Sequence, residues 1–191
     1  MARRAAGETR DKLLDAAARL LLRDPSKLTL DAVAEEAGVS KGGLLYHFCS
    51  KAQLLDAVVD RWEASFEARI EATAEAGPGG WTRAYADVTA TEGEDDPHTR
   101  EIDSGILAVL ALQPERLEAV QARYEGWQQR IASDGIDVVD ATIVRLAVDG
   151  LWFCELLGLG PPRGELRERV LERLRGLTHP PDDAHGGLGG F

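Results

Sequence analysis

Apolar residues recur every three or four positions along nearly the whole chain from Thr9 to Leu177, and no stretch alternates apolar with polar residues long enough to make a strand. A helix repeats its face every 3.6 residues and a strand every two, so the pattern predicts an all-α fold. Thr9 is a candidate N-cap for a first helix over 9–22, stopped by Asp24-Pro25-Ser26. A short helix follows Thr29 and ends at Ala37-Gly38, another follows Ser40, and a long one runs over about 51–76 until Gly77-Pro78-Gly79-Gly80 breaks it. Further helices are predicted at 80–91, 98–112, 114–132, 137–158 and 163–177, nine in all. The Pro-, Asp- and Gly-rich residues 178–191 read as a disordered tail.

The chain has 191 residues and a formal net charge of −11, which at first argues against nucleic acid as a partner. The distribution reverses that argument. Residues 1–51 hold nine basic against seven acidic groups, a surplus of two, while the remainder holds 13 against 26, a deficit of 13. Such asymmetry separates a segment able to face nucleic acid from one with another task. No apolar run reaches the roughly 18–20 residues of a membrane span, and no apolar core follows Arg3-Arg4, so a cytoplasmic protein without a membrane partner is expected. Cys49 and Cys154 are too few and too far apart for a disulfide framework or a metal cluster.

The most informative segment is Thr29-Leu-Asp-Ala-Val-Ala-Glu-Glu-Ala-Gly-Val-Ser-Lys-Gly-Gly-Leu-Leu-Tyr-His-Phe-Cys-Ser-Lys51, a helix-turn-helix pattern. Ala34 is small where two helices cross, Gly38 permits the positive φ of a sharp turn, and Ser40 caps the next helix. Val39 and Leu44 point inward, which leaves Lys41, Gly42, Gly43, Tyr46 and His47 outward. A helix so equipped suits a major groove, with its N-terminal end near base edges and Lys, Tyr and backbone amides on phosphates. Thr29 and Lys51, at the starts of flanking helices, can reach further phosphates. The basic Arg3-Arg4 lead-in suits a minor groove or a phosphate.

These residues, from Thr29 through Val39-Ser40-Lys41-Gly42-Gly43-Leu44-Leu45-Tyr46-His47-Phe48 to Lys51, resemble the signature of TetR-type transcriptional regulators. The resemblance implies a homodimeric repressor with a DNA-binding domain (residues 1–51), a ligand-binding and dimerisation domain (52–177), and no cofactor. Its partners would be double-stranded operator DNA and a small-molecule inducer. The chain departs from the common pattern at Gly43, where Thr is often found, at Leu45, where an aromatic is frequent, and at Cys49, where Pro is frequent.

The acidic part carries two apolar seams: Val139, Ile143, Leu146, Gly150, Cys154 and Leu157, then Leu166, Val170, Leu174 and Leu177. Paired across two subunits they would make a four-helix dimer interface. Aromatic residues cluster where a ligand would bind: Trp62 and Phe66, Trp81 and Tyr85, Tyr124 and Trp127, Trp152 and Phe153. Asp103 lies on an apolar face with Leu107, and Asp149 and Glu155 neighbour aromatic positions, which suits a lipophilic and cationic inducer. Asp149 is equally placed to pair with Arg145 one turn away. No nucleophile setting or phosphate-binding glycine loop points to catalysis. The alternative is a helical protein–protein adaptor that keeps this fold without specific DNA binding.

Overall fold

The computed structural model describes residues 2–91 and 117–180. Among these, eight α-helices and one short 3-10 turn form an all-α protein with no strand. They are α1 (Ala2–Arg23), α2 (Leu30–Ala37), α3 (Lys41–His47), α4 (Lys51–Thr73), α5 (Gly80–Thr91), α6 (Leu117–Ala132), α7 (Val138–Leu157) and α8 (Glu165–Gly176). The ninth helix expected at 98–112 lies outside the described residues, as do Asp103 and Leu107.

α1 begins at Ala2, so Thr9 sits inside the helix and does not cap it. Ala2, Ala5 and Ala6 are strong helix formers, and the run of favourable propensity carries the helix past a residue that would have served as a cap. The chain turns through Pro25–Lys27 after Arg23, where the sequence signals a stop.

The protein divides into two compact units, residues 1–69 with 91–123, and residues 70–90 with 124–191. In the first, Leu13, Leu14, Leu21, Leu28, Val33, Leu44 and Leu54 are at most 1% exposed and form the core. Arg61 ties α4 back to α1 through Asp15 at 2.8 Å and the Asp11 carbonyl at 3.3 Å. The packing of this unit therefore continues past Lys51.

In the second unit, the Asp134 carboxylate accepts from the Thr82 and Trp81 amides at 2.8 and 3.4 Å, closing the start of α5 from 52 residues away. Gly79 is in the left-handed region (φ 72), and a Cβ there would lie 1.9 Å from the Thr178 carbonyl oxygen. Thr178 is fully buried; its hydroxyl accepts from Arg83 at 3.2 Å and donates to the Arg175 carbonyl. Thr178, expected to open a disordered tail, is a packed part of the unit; residues 181–191 lie outside the described residues. No helix among the described residues is long and apolar enough to cross a membrane.

Candidate nucleic-acid interface and ligand site

The α2–α3 element is built from three local devices. Thr29 caps α2 by accepting from the Ala32 amide at 3.1 Å. Gly38 (φ 66, ψ 31) closes α2 in the left-handed region, which any side chain would strain. Ser40 caps α3, its hydroxyl accepting from the Gly43 amide at 3.1 Å. Leu44 is fully buried and Phe48 nearly so, with the Arg10 guanidinium 5.5 Å above the Phe48 ring, and these anchor the inner face of α3.

The outer face carries exposed Lys41, Gly42 and Tyr46, the last 79% exposed, with His47 half-buried and edge-on to Tyr46 at 5.0 Å. Lys41 is already paired with Asp31 of α2 at 2.8 Å, both largely exposed. Gly43 has a packing reason: a Cβ there would stand 2.9 Å from Val39 Cγ1 and 3.3 Å from Ser40 Oγ. At the start of α4, the Ser50 hydroxyl accepts from the Gln53 backbone amide at 3.1 Å while the Gln53 side-chain Oε1 accepts from the Cys49 backbone amide at 2.9 Å, an S-x-x-Q cap that holds Lys51 in the first turn.

The predicted aromatic residues fall into separate groups. Within the first unit, Trp62 and Phe66 stack at 6.1 Å. Within the second, Trp81, Tyr85, Trp127 and Tyr124 form a continuous chain with centroids 5.7, 6.0 and 4.9 Å apart. Trp81 is fixed by Glu71, which accepts from its indole at 3.1 Å, and by Arg130 over its ring at 4.9 Å. Buried Tyr85 donates to Asp149 at 2.7 Å, and Arg145 holds the other Asp149 oxygen at 3.1 Å. Burial raises the Asp149 carboxyl above its ordinary value of 3.8, against the opposing pull of Tyr85 and Arg145. Burial, followed by the charge of Asp149, likewise drives the Tyr85 phenol well above 10. Asp149 therefore belongs to a structural network with Arg145, and Glu155 is held by Arg167 at 2.7 Å.

On α7, Val139 (62% exposed), Ile143, Leu146 (56%) and Leu157 face outward, and Gly150 is exposed in the same register. Leu166 of α8 is also exposed, whereas Cys154 and Val170 are half-buried. One expectation changes here. Phe153 shares the outward register of Leu146, Gly150 and Leu157 and is 43% exposed, so it lies on the apolar outer face and not in an interior pocket. Leu174 is 7% exposed and lies at the floor of the same open groove that Leu166 and Val170 line. Trp152, one position before Phe153, is half-buried.

Sequence comparison assigns these elements. The profile of the bacterial regulatory proteins of the tetR family matches residues 13–58, and that of the tetracyclin repressor-like C-terminal domain matches residues 79–179, more than half of the chain. The chain belongs to the TetR family. Among curated relatives it is 41% identical over 56 residues to the HTH-type transcriptional regulator TtgR of Pseudomonas putida, a match covering 29% of this chain and 27% of that protein. A TetR-family member from Streptomyces coelicolor A3 superposes with a TM-score of 0.66 at 26% identity, covering 87% of this chain and 98% of the other. The multidrug binding protein EbrR complexed with ethidium superposes with a TM-score of 0.62 at 27% identity, covering 87% and 98%.

One buried charge of this TetR-family chain escapes a motif-based reading. Glu63 of α4 is 5% exposed and falls in the register of Val59, Phe66 and Ile70, which are buried. An acid at an apolar position of a helical stripe was the available signal. Burial raises its carboxyl above 4.5, opposed by Arg123 and reinforced by Asp60 and Glu67.

Proposed function

We propose that this TetR-family protein is a homodimeric repressor, released from a palindromic operator when a small lipophilic ligand occupies its C-terminal part. Residues 1–51 read DNA and residues 52–177 bind the ligand and the second subunit, on cytoplasmic DNA. The observation that carries this reading is α3 itself: capped by Ser40, set by the Gly38 turn, and presenting Lys41, Gly42 and Tyr46 to solvent in a chain of this family. Thr29, Ser40, Gly43, His47 and Lys51 complete the proposed contact set. Dimerisation is supported by the outward apolar face of α7 and α8, and serves to place two α3 helices about 34–36 Å apart, one turn of DNA.

The ligand reading is supported by the aromatic groups around Trp62 and Phe66 and around Trp81, Tyr85, Tyr124 and Trp127, and by the similarity to a multidrug binding protein. A ligand releases the operator only by its differential affinity for the two arrangements of the protein. The test is selection of bound duplexes from fragmented genomic DNA, then titration with salt and with lipophilic compounds including ethidium. The expected result is one salt-sensitive specific site, lost on ligand addition. A protein that selects no sequence is instead the helical adaptor.

A further inference from the structure

The inference concerns Glu63, and it rests on the ligand-responsive reading and narrows the ligand class. Of the acids that the sequence offers as cation partners, the two described ones are satisfied: Asp149 by Arg145 and Tyr85, and Glu155 by Arg167. Glu63 differs. Its side chain is 6% exposed, and its Oε1 is buried with no hydrogen-bond partner among the described residues. Among the described residues its Oε2 has one long contact, 3.4 Å from Arg123 Nε. The same guanidinium is shared with Glu67 at 3.3 Å and is 44% exposed. One arginine thus faces two carboxylates, with Asp60 adding to the local negative charge.

A buried carboxylate oxygen without a donor is costly, because its lost hydration is not replaced. Protonation removes the charge and still leaves a polar oxygen buried. A ligand bringing both positive charge and an N–H donor removes both penalties, since charge-assisted hydrogen bonds are the strong ones. A quaternary ammonium brings charge without a donor. Phe66, one turn along α4 and 4% exposed, stacks with Trp62 and provides aromatic surface of the kind that accompanies cation sites.

We propose that Glu63 anchors a ligand's protonated amine or amidine, a lipophilic cation that donates N–H to Oε1. The site selects against cations of the same shape that lack a donor.

A matched pair of probes tests this: 9-aminoacridine, a cation at neutral pH with N–H donors, and 10-methylacridinium, a cation of similar ring and charge without them. Tryptophan quenching of the full chain gives both affinities, and 9-methylanthracene, which has no donor, serves as the neutral lipophile. Wild type should bind 9-aminoacridine at least tenfold tighter than 10-methylacridinium. Glu63→Gln, which keeps the shape, should abolish that preference while binding the neutral probe as before. A Glu63→Asp variant, checked for helical content alongside it, should retain part of the preference. Equal binding of the two cations by wild type, or a preference that survives in Glu63→Gln, overturns the proposal. Operator release separates this from the broader reading. If neutral lipophiles release DNA but amines show no Glu63 dependence, the anchor is wrong and ligand control stands. If amines bind through Glu63 and DNA affinity does not change, the anchor is right and ligand control by this site is wrong.

Discussion

Gly42→Ala and Gly43→Ala make the same chemical change at adjacent positions of α3, and the structure gives them opposite expected outcomes. α3 has only seven residues, and both glycines weaken it, each by about 0.8–1.0 kcal/mol relative to Ala in a helix interior. At position 42 an added Cβ meets no atom within 4 Å, so Gly42→Ala should stabilise the free protein by about 0.4–1 kcal/mol. At position 43 the new carbon stands 2.9 Å from Val39 Cγ1, where carbon atoms rest about 3.5–4.0 Å apart. Val39 must retreat by more than half an ångström on that scale, or the Ser40 cap beside it must open. Overpacking of this kind costs about 1–3 kcal/mol, and a lost serine cap about 1 kcal/mol. The gain in propensity is cancelled or exceeded. For a chain of this length each kcal/mol moves Tm by roughly 2–4 °C, so thermal melts followed by circular dichroism should separate the two variants by several degrees. Gly42→Ala should melt above wild type, with Gly43→Ala at or below it. A Gly43→Ala protein as stable as Gly42→Ala would refute the reasoning, since it would mean that Val39 does not constrain the start of α3.

Other outcomes follow from single contacts. Tyr85→Phe removes the donor to Asp149 and should destabilise the protein at pH 7 by about 1.5–3 kcal/mol, the range for a hydrogen bond to a charged group. The loss should shrink on acidification. Asp149 is raised by burial, so its folded form holds its proton at higher pH than the unfolded chain does, and stability from this group falls as pH rises above 3.8. Removing Tyr85 raises it further, and urea titrations across this range should show the steeper fall in the variant. Leu146→Glu places a charge on the outward face of α7 and should convert a dimer into a folded monomer on size-exclusion chromatography with light scattering; an unchanged dimer would move the interface elsewhere. Lys51→Gln removes one proposed phosphate contact per subunit, so the slope of log affinity against log salt should flatten by about 1.8 per dimer, at 0.9 per contact.

The reading head was legible in the sequence because its determinants are local. Thr29 and Ser40 accept from amides three residues ahead and the Gly38 amide donates to carbonyls three and four residues back, through a cap or a dihedral preference that travels with the residue type. The same logic misplaced the start of α1, where summed propensity outweighed a candidate cap at Thr9. Helical register separated inner from outer faces well, yet it could not assign Phe153 to the surface, since that depends on which side of the helix its neighbours cover. The acidic residues show the limit most clearly. Asp149, Glu155 and Glu63 look alike as letters, and their roles differ by what faces them: Arg145 and Tyr85, Arg167, and for one oxygen of Glu63 no donor among the described residues. The sequence by itself determined the helical class, the turn and the caps, which depend on the backbone preferences of successive residues. Only the tertiary structure decided which carboxylates are satisfied, because a buried charge takes its character from partners up to 64 positions distant along the chain.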